Sequence, residues 1–488
     1  MRPLIQEIPT AHTPETLVEQ LQDAGCGSRL VLLRTTQFDS PSARYSFVAV
    51  NPFLTFRSFG SRCEITHHSS LITHHQFGNP WHLLDALMAR YELLDEIDSP
   101  FPLGGVFGFW GYDLKNFTEP KLPRRAVNDL ELPGCHVGFY DSLVVFDHRL
   151  GKVYVVSTGL NADGSRTVSR AKEQLDFWNN QIQNEVGSRK EAKTQGATKP
   201  CDFASLREIS SNLSRDEFIS KVQRVQQYIR AGDIYQVNLS QRLTAQGDFN
   251  GWELFEKLSA VSPAPFSAFL DCGEFQLASS SPEQFLRISG SHIVTRPIKG
   301  TRPRAADATR DAQLAYELQT SAKELAELVM ITDLLRNDLG RVCEYGSVQV
   351  PELAKLEKFA QVQHLVATVE GRLRNDVTHF AAFASCFPGG SITGAPKFRA
   401  IEVIDELEPI SRGPYCGAIG YLGFNRESQL NIAIRTAVCA DGKIRFNVGA
   451  GIVADSDPVA EYEETLAKAA GFLAALNLNH SAAAVAVD

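Results

Sequence analysis

The sequence predicts an α+β protein in which large antiparallel sheets pack against helices. Short apolar segments separated by turn residues recur over about the first 160 residues, a pattern typical of a strand-rich region. Helical patterns occur in both halves of the chain, but they do not alternate regularly with strands as βαβ units would. Near the C-terminus, Asp441-Gly442 separates two alternating segments, which predicts a β-hairpin.

Composition excludes several classes of protein. The 488 residues are 43% hydrophobic and 22% charged, which is sufficient for a large core. A net charge of −9 without a run of like charges argues against nucleic-acid binding. The sequence has neither an apolar stretch of membrane-span length nor an N-terminal apolar signal region, so we expect no membrane contact. Nine scattered cysteines without a C-x-x-C pair predict free thiols in a cytoplasmic protein.

We expect two domains joined by a linker. Residues 1–186 form the N-terminal domain, which ends in a helix over 165–186, and residues 205–480 form the second domain. The linker at 187–204 contains the string GSRKEAKTQGATKP, which has no large apolar residue to bury.

The second half carries clear helix and strand signals. Ser214 and Glu217 form a capping box, and Gly232 ends the helix that follows. Asp457-Pro458 predicts the start of a final helix that runs to about Leu476. Further predicted elements are a long helix over 311–339 and strands over 235–240, 417–424, 431–438 and 443–453.

Two acidic pairs lie one helical turn apart. In the final helix, Glu461, Glu464 and Lys468 lie opposite the apolar face. A solvated polar face explains this pattern, but two such carboxylates can also hold Mg²⁺. Glu324 and Glu327 form a second pair, for which pairing of Lys323 with Glu327 is, taken alone, the simpler explanation.

Two glycine-rich strings are not nucleotide motifs. The string over 447–454 reads G-x-G-x-x-A, but it lacks the second strand and acidic residue of a dinucleotide site. Its glycines suit a close approach of backbone amides to an anion. The 387–397 string reads as a flexible loop before a helix and lacks the Gly-Lys-Ser/Thr ending of a Walker loop.

Two cations stand in unusual contexts. Lys299 lies in the segment 295–304, which reads as a surface loop rich in Pro and Gly, yet its apolar neighbour Ile298 would suit a partly desolvated amine. Arg435 lies within the predicted strand over 431–438, where a cation on the face of Ala433 and Ala437 suggests a carboxylate ligand.

Eight longer strings match one family in the same order. They are GDIYQVNLSQR (232–242), SSSPEQF (279–285), RPIKGTRPR (296–304), AELVMITDLLRNDLGRV (326–342), FPGGSITGAPK (387–397), YCGAIGY (415–421), IRTAV (434–438) and GAGIVADSDPVAEYEET (449–465). Through them the chain resembles the chorismate-utilising enzymes, which include the anthranilate, aminodeoxychorismate, isochorismate and salicylate synthases. The resemblance implies the chorismate-binding, anthranilate synthase component I-like fold.

The resemblance also implies a set of site residues. It implies a Mg²⁺ that anchors the ring carboxylate of chorismate and is held by Glu327, Glu461 and Glu464. It implies that the substrate is contacted by Gly300, Thr301, Tyr415, Arg435, Gly449, Ala450 and Gly451. Lys468 would add positive charge near the acidic cluster. His364 and Thr393 match active-site positions, and Glu283 matches the general acid/base of the family.

Two positions indicate the reaction within the family. Gln236 stands where the water-using isochorismate and salicylate synthases carry a lysine base, which indicates ammonia as the nucleophile. Lys299 stands where anthranilate synthases typically carry Ala and aminodeoxychorismate synthases carry Lys. The resemblance then implies that Lys299 attacks ring atom C2 as the C4 hydroxyl leaves, and that ammonia displaces Lys299 by attack at C4.

We therefore expect amination of chorismate to 4-amino-4-deoxychorismate, a step toward p-aminobenzoate and folate. The sequence has no G-x-C-x-G amidotransferase motif, so ammonia would come from a glutamine amidotransferase subunit. Two alternatives stay open. One is an anthranilate synthase component I, which aminates the ortho position with loss of pyruvate, and the other is a catalytically silent homologue that acts as a binding subunit.

Overall fold

A computed structural model of the chain describes residues 2–35, 43–93, 98–183, 209–247, 250–358, 362–477 and 486–487. The predicted linker at 187–204 lies outside these residues. The helices are α1 Pro14–Asp23, α2 Pro80–Met88, α3 Lys115–Thr118, α4 Val168–Gln183, α5 Arg215–Arg230, α6 Gly251–Val261, α7 Ala308–Gln319, α8 Ala322–Gly340, α9 His379–Cys386, α10 Lys397–Leu407 and α11 Pro458–Ala475.

The strands are β1 Leu4–Glu7, β2 Val31–Arg34, β3 Tyr45–Ala49, β4 Leu54–Phe59, β5 Arg62–His67, β6 Ile72–Phe77, β7 Gly105–Trp110, β8 Cys135–Tyr140, β9 Ser142–Asp147, β10 Lys152–Ser157, β11 Ile209–Ser211, β12 Gln236–Gln246, β13 Phe266–Asp271, β14 Gln276–Ser281, β15 Gln284–Ser289, β16 His292–Thr295, β17 Ile298–Pro303, β18 Gln349–Lys358, β19 Val362–Arg372, β20 Gly394–Ala395, β21 Ala418–Gly423, β22 Glu427–Ile432, β23 Thr436–Ala440, β24 Lys443–Ile452 and β25 Ala486–Val487.

These strands form two sheets, one of 13 strands and one of 12. Pairing is antiparallel except between β11 and β25, so the predicted α+β class with large antiparallel sheets is confirmed. Each sheet contains strands from both halves of the chain, since β2 pairs with β13 and β7 pairs with β21. The division into domains at 1–186 and 205–480 stays a prediction. In the structure, the two halves of the chain share both sheets.

The largest apolar core also contains residues from both halves. Phe107 of β7 stacks on Tyr421 of β21 with ring centroids 5.3 Å apart, and Phe47 of β3 contacts the same tyrosine edge-on at 5.1 Å. Such aromatic pairs add to the stabilisation from apolar burial. In the described part of the chain, no helix is long and apolar enough to cross a membrane.

Two predicted helix starts are confirmed in detail. The Ser214 side chain accepts from the backbone N–H of Glu217, whose carboxylate accepts from the Ser214 N–H at 2.8 Å, so the capping box starts α5. The Asp457 side chain caps α11, which has Pro458 at its first position and ends at Ala475.

Three local predictions are wrong. The long helix over 311–339 is two helices, because Ser321 caps α8 after α7 ends at Gln319. The 295–304 segment is not a surface loop, since β17 pairs with β19. The strand over 431–438 is two strands in different sheets, β22 and β23, and Arg435 lies between them with a positive φ of 49°.

Candidate active site

Two glycines of β24 bring several predicted site residues together. A Cβ atom at Gly451 would lie 2.6 Å from Gln236 Nε2 and 4.0 Å from Lys299 Nζ. A Cβ at Gly449 would lie 2.9 Å from the Tyr415 hydroxyl. Residues two apart in a strand face the same side, so these three side chains lie over one face of β24. Only glycine allows this close approach.

The same stretch of β24 has one unpaired edge. Its partner β23 begins at Thr436, and the last β23–β24 pair joins Ala437 to Phe446, whereas β12 continues alongside β24 as far as Ile452. From residue 447 onward, β24 is therefore paired with β12 alone, and alternate backbone groups face away from that partner. Ala450 is fully buried, so its part in the site is limited to the backbone.

Lys299 lies on β17 at an irregularity in the β17–β19 pairing. Its side chain is 15% exposed, and Nζ lies 4.0 Å from Glu327 Oε2. Burial lowers the pKa of the Lys299 amine, while the Glu327 and Glu283 carboxylates partly oppose that shift. A lowered pKa increases the fraction of neutral amine, which is the nucleophilic form.

Glu283 lies between β14 and β15 and is 7% exposed. The Ser391 side chain and the backbone of Ile298 lie near its carboxylate and favour the charged form, which lowers its pKa. Burial raises its pKa, and Lys299 opposes that shift. Sequence reasoning missed Ser391, although it lies within the recognised 387–397 string, because a contact to residue 283 leaves no local spacing signal.

The β17–β19 pair also positions His364, Thr301 and Gly300. The Thr301 hydroxyl lies 2.8 Å from His364 Nδ1, and burial lowers the pKa of His364 to about 4, so its ring is neutral at pH 7. Gly300 has a φ of 68°, and a Cβ there would lie 3.1 Å from Glu324 Oε2. The structure thus brings Glu324 to the site, where it also pairs with Arg302.

Three glutamates line the side of the site next to Lys299. Glu461 is 6% exposed, so the polar face of α11 is not simply solvated. Glu464 is half exposed and pairs with Lys468 at 2.7 Å, while Lys468 Nζ also donates to the carbonyl oxygen of Gly449 at 2.9 Å. Burial raises the pKa of Glu327 and of Glu461, and the neighbouring Glu464 carboxylate raises both further.

These glutamates fit a divalent cation by their chemistry. Carboxylate oxygens are the ligands that Mg²⁺ prefers, and a bound cation would offset the repulsion between Glu464 and the other two carboxylates. One oxygen of Glu461 accepts from Ser456 at 2.5 Å, while Oε2 is buried without a hydrogen-bond partner in the described structure. Among the described residues, no group of three His, Cys, Asp or Glu side chains is already placed to coordinate one metal ion, so these glutamates do not converge on a single point.

Arg435 and Thr393 differ in how available their polar groups are. Within the described residues the Arg435 guanidinium has no ion-pair partner, and burial lowers its pKa. The positive charge of Arg435 lowers the pKa of His364, because the two side chains lie near each other. The Thr393 hydroxyl is fully buried and donates within its own loop to the Gly389 and Gly390 carbonyls, so its contacts shape the loop.

Comparison with known proteins identifies the family. A family model described as chorismate binding enzyme matches residues 35–474. The chain is 37% identical over 474 residues to anthranilate synthase component 1 of Acetivibrio thermocellus, covering 95% of this chain and 92% of that relative. It is 38% identical over 440 residues to aminodeoxychorismate synthase component 1 of Escherichia coli K12, covering 90% and 91%.

A solved structure of a related protein supports the same family. The crystal structure of anthranilate synthase component I from Streptococcus pneumoniae TIGR4 superposes with a TM-score of 0.75 at 29% identity, covering 90% of this chain and 94% of that one. The chain therefore belongs to the chorismate-binding enzyme family and has the anthranilate synthase component I-like fold. It is a chorismate-utilising enzyme, and relatives of two different activities match it at similar identity.

Proposed function

We propose that this enzyme is an aminodeoxychorismate synthase component I, which converts chorismate and ammonia to 4-amino-4-deoxychorismate. The observation that carries the proposal is the position of Lys299. Its amine points over Gly451 beside Gln236, is largely desolvated, and lies near both Glu283 and Glu327. An amine in this environment can act as a nucleophile toward a bound ring.

The proposed reaction has two displacements. The Lys299 amine forms a bond to ring atom C2, the ring double bond shifts, and the C4–O bond breaks. Ammonia then forms a bond to C4, the double bond shifts back, and the C2–N bond to Lys299 breaks. Glu283 would give its proton to the leaving hydroxyl and later accept one from the attacking ammonia, a role that its raised pKa supports.

Binding of the dianionic substrate requires positive charge and oriented donors. We propose that Arg435, Tyr415 and the backbone of Gly449–Gly451 hold the enolpyruvyl carboxylate, and that Gly300 and Thr301 contact the ring. Glu327, Glu461 and Glu464 would hold a Mg²⁺, which when bound neutralises charge on the ring carboxylate. The unpartnered Glu461 oxygen and the ion-pair-free Arg435, both within the described structure, support this assignment.

Ammonia would come from a separate glutamine amidotransferase subunit. The names of the relatives, which call each a component 1, support the existence of a partner component. The eight cysteines in the described residues are free thiols, which supports the expectation of a cytoplasmic enzyme.

Product analysis tests the proposal. The purified chain is incubated with chorismate, Mg²⁺ and ammonium, and the products are separated and identified by mass spectrometry. We expect 4-amino-4-deoxychorismate, which keeps the enolpyruvyl group, and no release of pyruvate. Anthranilate with stoichiometric pyruvate would instead establish the ortho-aminating alternative. Binding of chorismate without turnover would favour the silent homologue.

A further inference from the structure

A buried arginine outside the proposed substrate contacts connects several parts of the site. The side chain of Arg412 is 1% exposed and forms a two-pronged ion pair with Glu408, through Nε at 2.8 Å and Nη2 at 2.7 Å. Glu408 in turn accepts from the backbone N–H and the hydroxyl of Ser240 on β12, at 2.8 and 2.9 Å. Burial of such a pair is costly unless its hydrogen bonds are satisfied, as they are here.

The remaining donors of Arg412 bind two backbone carbonyls. Nη1 donates to Ile392 at 3.1 Å, directly before Thr393, and Nη2 donates to Asn238 at 2.7 Å. Asn238 is paired with Gly451 in the β12–β24 register, and its side-chain amide donates to the Sγ atom of Cys416, the residue after Tyr415, at 3.9 Å. One guanidinium therefore fixes the 387–397 loop relative to the strand that supports Gly449 and Gly451.

The faces of the guanidinium lie near two tyrosines from different halves of the chain. Its central carbon lies 4.7 Å from the ring centroid of Tyr112 and 5.7 Å from that of Tyr415. The Tyr112 ring is buried, and its backbone N–H donates to Gly413 at 2.8 Å. The Tyr112 hydroxyl has no hydrogen-bond partner among the described residues, so the ring is the part that acts on Arg412.

We infer that Arg412 is a positioning residue for substrate binding, and that Tyr112 of the N-terminal half holds it in place. The inference rests on the proposed contact of Tyr415 and the β24 glycines with a chorismate carboxylate. Arg412 touches none of the reacting atoms. It orients Tyr415 and the strand beneath it, so that the N-terminal half contributes to the affinity of a site built from the second half. Lysine cannot replace it, because a single ammonium cannot make four hydrogen bonds in this fixed geometry.

Three variants test the role of Tyr112 with the buried ion pair left intact. Chorismate is titrated by calorimetry into each protein in the presence of Mg²⁺. Tyr112→Leu removes the ring and should raise Kd about tenfold, the size of a desolvated cation–π contact. Tyr112→Phe keeps the ring and should bind as the wild type does. Phe109→Leu removes another buried ring of the N-terminal half, one that packs on Phe275, and should leave Kd unchanged.

A kinetic comparison separates a loss of substrate positioning from a general loss of folded structure. Arg412→Lys should raise the KM for chorismate at least about tenfold while the KM for ammonium stays within about twofold, since only the carboxylate grip is disturbed. Equal Kd values for Tyr112→Leu and the wild type would overturn the inference, as would equal losses in Tyr112→Leu and Phe109→Leu. The titration measures binding and not product, so an enzyme that makes anthranilate would refute the proposed function and leave this inference standing.

Discussion

The amine of Lys299 lies 4.0 Å from the carboxylate of Glu327, and both side chains are mostly buried. Lys323, one turn earlier on α8, forms no ion pair with Glu327 within the described residues, although its charge lowers the pKa of that carboxylate. Lys299 thus lies near both Glu327 and Glu283, whose carboxylates both raise its pKa against the effect of burial. A buried amine between two carboxylates can exchange protons with either as its own charge changes.

Replacement of this lysine should separate binding from chemistry. Lys299→Ala should still bind chorismate, because Arg435 and the three glutamates proposed to hold Mg²⁺ remain. The rate of 4-amination should fall by at least about 100-fold, the lower range for a positioned reacting group. Quenched-flow product analysis measures the rate, and calorimetry measures the affinity. A variant that makes 4-amino-4-deoxychorismate at the wild-type rate would disprove the covalent role.

Substitution of Arg435 should weaken the grip on the substrate carboxylate. Lysine keeps the charge but loses the two-pronged geometry, so Arg435→Lys should raise the KM for chorismate about ten- to a hundredfold. Arg372→Lys serves as the control, because Arg372 is exposed and pairs only loosely with Glu344 at 3.6 Å. An unchanged KM in Arg435→Lys would show that the guanidinium faces another group.

Of the three glutamates proposed to hold Mg²⁺, Glu461 should contribute strongly to its binding. Glu461→Gln removes the charge on the unpartnered buried oxygen, so the affinity for Mg²⁺, titrated in the presence of chorismate, should fall at least about tenfold. Glu463→Gln removes one charge from an exposed position of the same helix and should bind Mg²⁺ normally. EDTA should abolish turnover in the wild type, and full activity in EDTA would refute the metal assignment.

A buried histidine away from the site should make stability depend on pH. His379 Nε2 donates to the Gly290 carbonyl oxygen at 2.8 Å, so Nδ1 accepts from the Ser428 hydroxyl, and burial lowers the pKa of the ring to about 4. Below the ordinary pKa of about 6.5 the unfolded state binds more protons than the folded state, so this group lowers stability as the pH falls toward 4.

The size of that effect follows from the two pKa values. Between pH 7.5 and pH 5, His379 should reduce the free energy of unfolding by about 2 kcal/mol. His379→Gln keeps an N–H donor but does not titrate, so its midpoint of thermal unfolding should fall less than that of the wild type over this range. Parallel decreases in the two proteins would show that the pKa of the ring is the same in the folded and the unfolded state.

Local sequence determined the parts of this protein that depend on neighbouring residues. The caps at Ser214 and Asp457 are decided within one helical turn, and the family strings, read in order, identified the class that the comparisons confirmed. Periodicity failed where one apolar pattern serves two elements. The 431–438 segment reads as one strand, yet it crosses from one sheet to the other at Arg435, and this turn depends on which strands lie on either side.

Only the tertiary structure decided which side chains meet. Glu461 and Glu464 look equivalent on a helical projection, but packing of α11 buries the first and leaves the second paired with Lys468 at the surface. The contact of Ser391 with Glu283 and the stacking of Tyr112 on Arg412 join residues 108 and 300 positions apart. Spacing along the chain carries no signal for such contacts, because they are created when segments far apart in sequence pack together, as β7 does with β21 next to Tyr112 and Arg412.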